Sequence, residues 1–260
     1  MNTADTQTIH RVTHEIKRRK LEVLRVVDLT PRMRRITLGG PELTGFISLG
    51  SDDHVKLFFP QTAEELATLE NLELSAGMKS KTMPPMRDYT PRRYDLDTLE
   101  LDIDFVLHGD GPAATWAAQA SPGQSLYIGG PRGSMVVPDM FDSYLLIGDE
   151  TALPAIARRL EELPANRRAL VVVEVENAAE EQALNSAASV EVIWVHRDGS
   201  NNLLEIVEGL SVPQGKLYAW VATETALSRK VRRVLLDSHG LDEEFVKAAG
   251  YWRLDSSSEE

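Results

Sequence analysis

The run Met86-Arg87-Asp88-Tyr89-Thr90-Pro91-Arg92-Arg93-Tyr94-Asp95 concentrates residues that could do chemistry. Met83-Pro84-Pro85 precedes it and an alternating stretch follows at 99–107, so Arg87, Tyr89 and Thr90 are expected at a strand edge. Side chains at i and i+2 of a strand share a face, which puts Arg87 beside Tyr89. A guanidinium offers phosphate a forked donor. A phenol ring offers a flat apolar surface, and a threonine a small hydroxyl for a heteroatom. Together they suit a flavin, with pyrophosphate on Arg87, the ring on Tyr89 and the flavin edge near Thr90. The run reads equally as an edge strand whose arginine faces water.

His108–Trp116 is a second candidate. Gly109, Gly111 and Pro112 let a ligand approach backbone closely, and a helix from Ala113 turns its N–H groups and positive dipole end outward. Thr115 adds a hydroxyl in the first turn, and Gly133 and Ser134 offer further close contacts. The alternative is a glycine-rich loop that only caps a helix. A third candidate, Gly148-Asp149-Glu150-Thr151, joins strand to helix where a dinucleotide would lie. It is not a GxGxxG, and its two carboxylates repel phosphate. The six histidines are scattered, with only His10 and His14 at i, i+4 spacing, so no metal site is expected. No Gly-x-Ser-x-Gly nucleophile signature is present.

These groups need a scaffold, and the chain supplies two kinds. Up to Pro138 it holds short β-rich runs bounded by Gly and Pro: 21–27 and 33–38 with a turn at Asp28–Pro31, then 54–59, 99–107 and 125–128. A helical segment at 62–74 reads as an insertion. The stretch 99–107 alternates so cleanly that it predicts a half-buried strand. This pattern suggests a sandwich or barrel. After Pro138, strands at 144–147, 170–175, 190–195 and 217–221 alternate with helices at 152–163, 178–187, 202–208 and 224–238. That order predicts a parallel sheet covered on both faces, with ligands at the carboxyl ends of its strands. The divisions expected are a flexible N-terminus at 1–16, a β-barrel domain at 17–138, an α/β domain at 139–254 and a disordered tail at 255–260.

With 260 residues, 42% hydrophobic and 26% charged, the composition is that of a soluble globular protein. A net charge of −12 argues against nucleic acid. No apolar run is long enough to span a bilayer and none resembles a signal peptide, so a cytosolic protein is expected. Residues 1–36 nevertheless hold nine Lys and Arg against four Asp and Glu. Without cysteine there is no disulfide, thiol nucleophile or thiolate-held cluster. Any electrons moved here therefore travel on an organic cofactor.

Five motifs in order carry a resemblance: Asp52-Asp53-His54-Val55-Lys56-Leu57-Phe58-Phe59-Pro60, Arg87-Asp88-Tyr89-Thr90-Pro91, His108-Gly109-Asp110-Gly111, Gly130-Pro131-Arg132-Gly133-Ser134 and Gly250-Tyr251-Trp252-Arg253. Over residues 17–253 the chain resembles the siderophore-interacting protein family, in particular its NADPH-dependent ferric-chelate reductases. The resemblance implies a two-domain ferredoxin-reductase-like fold, an antiparallel barrel carrying FAD followed by an α/β domain for NADPH or NADH. It assigns FAD to Arg87, Asp88, Tyr89, Thr90, Asp104, Phe105, Val106, His108, Thr115, Trp116, Gly133 and Ser134. It assigns the nicotinamide donor to Asp149, Glu150, Thr151, Thr223, Glu224 and Trp252, with Trp252 near the flavin or the nucleotide cleft.

Many relatives carry Gly where this chain has Thr223, which is expected to narrow the nicotinamide approach. Glu174 and Glu176 disfavour a 2′-phosphate, unless Arg158, Arg159, Arg167 or Arg168 compensates. The implied reaction reduces ferric iron in a catecholate or hydroxamate siderophore, which Fe(II) leaves more readily. No general acid or base is required. Lys56, in mid-strand, and Arg132, in a Gly-rich turn, are the candidate basic rim for the anionic substrate, or else partners of carboxylates. Alternatives are an unspecific flavin reductase or oxidase and a ferric-siderophore carrier without turnover. A monomer is expected.

Overall fold

The β-rich and alternating halves of the chain part at Pro138. The computed structural model, which describes residues 8–71 and 82–254, divides into units Met1–Pro138 and Asp139–Glu260. The first unit holds β1 (His10–Thr13), β2 (Arg18–Thr30), β3 (Met33–Gly39), β4 (Val55–Phe58), β5 (Met86–Tyr89), β6 (Arg93–Asp95), β7 (Glu100–Val106), β8 (Ser125–Gly129) and β9 (Gly133–Val136). Its helices are α1 (Ala63–Glu70) and α2 (Pro112–Gln119). Seven strands form an antiparallel sheet in the order β5-β4-β8-β2-β3-β7-β6. Val55 and Leu57 of β4 meet Leu101, Ile103 and Phe105 of β7 in one buried core with Leu21, Val23, Ile36 and Leu38. Side chains from both halves of the sheet share that core, so the sheet wraps round it as a barrel does.

Several expectations shift. β2 runs on to Thr30, and the turn is Pro31-Arg32, since β-branched Val26, Val27 and Thr30 keep the chain extended. The N-terminal lead-in expected to be flexible contains β1, which pairs antiparallel with β9, Thr13 opposite Gly133. The strand at 99–107 is present, but it is not half-buried. Asp102 and Asp104, expected on the wet face, are buried. α1 is Ala63–Glu70, and residues 72–74 of the expected helical segment lie outside the described residues.

The second unit holds β10 (Ser143–Asp149), β11 (Arg168–Val175), β12 (Ser189–His196), β13 (Leu217–Glu224) and β14 (Val246–Trp252), with α3 (Leu153–Glu162), α4 (Leu203–Glu208) and α5 (Thr225–Asp237). The five strands are parallel in the order β12-β11-β10-β13-β14. β10 and β13 are buried end to end, as the continuous apolar runs of a two-sided sheet require. The strand order reverses between β10 and β13, which opens the crevice where such sheets take ligands. The helix expected at 178–187 is only the turn Ala178–Glu180, started by the Asn177 side chain. β14 has no alternation to announce it. Among the described residues no helix is long and apolar enough to cross a membrane.

Candidate functional site

In the first unit, Tyr89 ends β5 and packs its ring on Phe105 at 4.5 Å between centroids. Phe105 meets Trp116 of α2 at 5.6 Å, and Trp116 meets Phe59 at 5.9 Å. The strand alternation that points Phe105 inward and the helix that lays Trp116 over it thus build a run of packed rings, with Phe105 and Phe59 buried and Tyr89 and Trp116 half-buried. Burial pushes the Tyr89 phenol above its ordinary value, and the nearby Arg87 guanidinium partly offsets this. Arg87 is exposed, with one N–H on the Met86 carbonyl at 2.8 Å, and Thr90 is buried beside it.

Helix α2 follows at once. Its N-cap Gly111 offers no side-chain acceptor to the first N–H groups, and Pro112 stands at N1. A Cβ on Gly109 or Gly111 would meet nothing within 4 Å, and Gly109 has φ +56°. Thr115 is exposed in the first turn. An aromatic platform, an exposed guanidinium and an uncapped helix start beside open glycines fit a flavin ring with its phosphates.

Other residues assigned to FAD have different partners. The Asp104 carboxylate is buried and clasped by Arg35 at 2.7 and 2.8 Å, so it builds the sheet. Asp88 is exposed and bound to Lys56 at 2.8 Å, directly opposite it in the β4–β5 register. The buried Ser134 hydroxyl donates to Asp53 at 2.5 Å and accepts from the Leu49 N–H, with His14 Nε2 2.7 Å away. Gly133 is glycine because a Cβ would sit 2.6 Å from the Val12 carbonyl of β1. Val106 is half-buried and His108 exposed. Of the two rim candidates, Lys56 has taken the carboxylate partner, whereas Arg132 is exposed and makes no ion pair among the described residues.

In the second unit, the carboxyl ends of β10, β13 and β14 gather most of the dinucleotide candidates. Asp149 is buried and accepts from the Thr151 N–H at 2.9 Å, the Thr151 hydroxyl at 2.5 Å and the Trp252 indole N–H at 2.8 Å. Burial pushes its carboxyl above the ordinary range, and those donors only partly offset it. Glu224, in register with Trp252, caps α5 by accepting from the N–H groups of Ala226 and Leu227. Burial raises its carboxyl, but these and the Leu254 and Thr225 N–H groups leave it below its ordinary value. Thr223 is fully buried and donates to the Glu224 carbonyl, so its hydroxyl turns into the sheet.

Glu150 is held at 2.5 and 2.7 Å by Arg197, a residue the sequence did not single out. Arg197 follows β12 and also reaches Glu174 at 3.2 Å and Glu176 at 3.7 Å. The four arginines considered as compensating cations are placed elsewhere. Arg158 binds Glu162, Arg159 stacks over Tyr144, Arg167 binds Asp139, and Arg168 begins β11 at the opposite end of the sheet. Among the described residues no group of three His, Asp or Glu could hold a metal ion.

Comparison with known proteins bears on both units. Residues 22–135 match the siderophore-interacting FAD-binding domain, and residues 141–255 match the siderophore-interacting protein family. The chain is 35% identical over 245 residues to the NADPH-dependent ferric-chelate reductase of Escherichia coli K12, covering 93% of this chain and 95% of that one. It is 31% identical over 257 residues to the ferric vibriobactin reductase of Vibrio cholerae, covering 95% of each. A siderophore utilization protein from T. fusca superposes with a TM-score of 0.84 at 38% identity, covering 96% of this chain and all of that one. Phthalate dioxygenase reductase, at 12% identity and a TM-score of 0.65 over 93% of this chain and 70% of that one, shares the ferredoxin-reductase-like fold alone. With matches across both halves, the chain belongs to the siderophore-interacting protein family and carries its FAD-binding domain in the N-terminal unit.

Proposed function

We propose that the chain uses NADPH or NADH, with FAD, to reduce ferric iron held in a siderophore, and so releases iron as Fe(II). The observation that carries this reading is the Tyr89–Phe105–Trp116 run of rings beside Arg87. Bound FAD supplies the conversion of a hydride donor's electron pair into single-electron delivery. Tyr89 and Trp116 support the ring and keep water from one face. Arg87 and the start of α2 would hold the phosphates, and Thr90 would offer its hydroxyl to the ring edge. Asp149, Thr151, Glu224 and Trp252 frame the nicotinamide end of the donor at the sheet crevice.

Ferric iron favours the hard oxygen donors of catecholates and hydroxamates, and Fe(II) is bound less tightly, so reduction releases it. Arg132 is the exposed cation that draws in the anionic chelate, and Lys56 contributes once Asp88 yields it. A substrate this bulky needs an open rim rather than a deep pocket. The relatives' names, a ferric-chelate reductase and a ferric vibriobactin reductase, support the same substrate class. Drawing reductant from the cell's nicotinamide pool supports a cytosolic location.

Combined replacement of Lys56 and Arg132 by serine tests the rim. Fe(II) release from a ferric catecholate should fall several-fold while dioxygen still reoxidises the flavin. Equal loss of both would instead indicate a damaged flavin site.

A further inference from the structure

The edge formed by the ends of β10, β11 and β12 carries one guanidinium among several carboxylates. Arg197 grips Glu150 with two N–H groups and reaches Glu174 and Glu176, and the buried Asp149 lies near enough to act on it electrostatically. Glu174 is the penultimate residue of β11, the second strand of the sheet in chain order, beyond the first strand–helix turn. In dinucleotide-binding sheets this place meets the adenosine ribose, where an acid binds a free 2′-hydroxyl and an arginine nearby accommodates a 2′-phosphate. This chain has both, already bound to each other. One positive charge faces three carboxylates, so the edge stays net negative. A 2′-phosphate can win the guanidinium only by displacing a carboxylate of comparable strength.

We propose that Arg197 is the residue that reads the donor's 2′-phosphate, and that Glu150, Glu174 and Glu176 compete with that phosphate for it. The chain therefore discriminates weakly between NADPH and NADH. This inference rests on the dinucleotide reading of the second unit. The contest is balanced because each side offers bidentate, charge-assisted bonds to the same planar fork. Neutralising one competitor tilts it towards phosphate, and removing the fork tilts it towards the plain ribose. Glu174→Gln suits the first purpose, since its carbonyl oxygen can still accept from the Leu203 N–H that Glu174 meets at 3.4 Å.

The test measures flavin reduction by NADPH and NADH in the flavin-loaded protein, together with calorimetric titration of NADP⁺ and NAD⁺. For the unmodified chain the two kcat/KM values should agree within about tenfold. Glu174→Gln and Glu176→Gln should each raise the NADPH-to-NADH ratio, by about tenfold for Glu174→Gln, the equivalent of one charge-assisted hydrogen bond. Arg197→Gln should lower the ratio by a similar factor, and the ratio of the two dissociation constants should move the same way. A ratio unmoved by Glu174→Gln, or raised by Arg197→Gln, overturns the role of Arg197 while leaving the reductase reading intact. If neither nucleotide binds nor reduces the flavin, the dinucleotide reading fails and this inference falls with it.

Discussion

The Trp252 indole N–H donates to the buried Asp149 carboxylate at 2.8 Å, across 103 residues of sequence. The bond ties the end of β10 to the end of β14, the strand that pairs outside β13. The Thr225 hydroxyl fixes the same residue from behind through the Trp252 carbonyl at 2.8 Å. Trp252→Phe keeps an aromatic ring and removes the donor. Where Asp149 is ionised, losing a hydrogen bond to that buried charge should cost about 1.5–3 kcal/mol in denaturant unfolding. Burial already holds the Asp149 carboxyl high, and loss of Trp252 raises it further. The variant's deficit should therefore be largest where Asp149 is ionised and shrink as acid protonates it. A deficit that does not change across the pH range would mean that ring packing, not the bond, sets the cost.

The buried Asp104 and the half-buried Arg35 form a two-pronged pair between β3 and β7. Asp104→Ala removes the buried carboxylate and its charge-assisted bonds to Arg35, and should cost about 1.5–3 kcal/mol of stability, read from the unfolding midpoint. The FAD affinity of the protein that remains folded should change far less than the stability, because the carboxylate is spent on Arg35.

Glu224 caps α5, and its backbone donors leave its carboxyl below its ordinary value of 4.5. A depressed carboxyl stabilises the fold fully above the unfolded value and loses that contribution as pH falls through the folded one. Glu224→Ala should cost about 1 kcal/mol at neutral pH. The gap from the unmodified chain should narrow as pH falls below the carboxyl's ordinary value of 4.5, as a series of thermal melts will show.

Much of this was legible because the signals are local. The change from β-rich runs to alternating strands and helices marked the two kinds of sheet, and the helical stretch at 202–208 holds α4. Tyr89 was found through the i, i+2 spacing of a strand, which is also a neighbour effect, whereas Phe105 came from the family resemblance. What failed was long-range. Asp102 and Asp104 looked solvated because alternation assigns a face without saying whether that face is later covered. Ala178–Ala187 is rich in helix formers, but tertiary context left it one turn long. β14, reading Val-Lys-Ala-Ala-Gly-Tyr-Trp, is a strand because β13 offers it an edge. Arg197 had no signal at all, since its partners stand 47 and 23 residues away.

Arg87 and Tyr89 make separable contributions to flavin binding. Arg87→Gln removes a charge-assisted contact to phosphate and should weaken FAD by about ten- to a hundredfold, more so at low salt than at high. Tyr89→Ser should weaken FAD as well, with no such salt dependence, because the ring acts by area. Titration of flavin-free protein at two ionic strengths separates the two.

The most direct measurement is anaerobic. The flavin-loaded protein receives NADPH, then a ferric catecholate, while its spectrum and an Fe(II) trap are followed together. The flavin band should bleach with NADPH and return as the chelate is added, with Fe(II) appearing in proportion. A protein that binds no flavin, or a reduced flavin that leaves the ferric chelate untouched, would contradict the account.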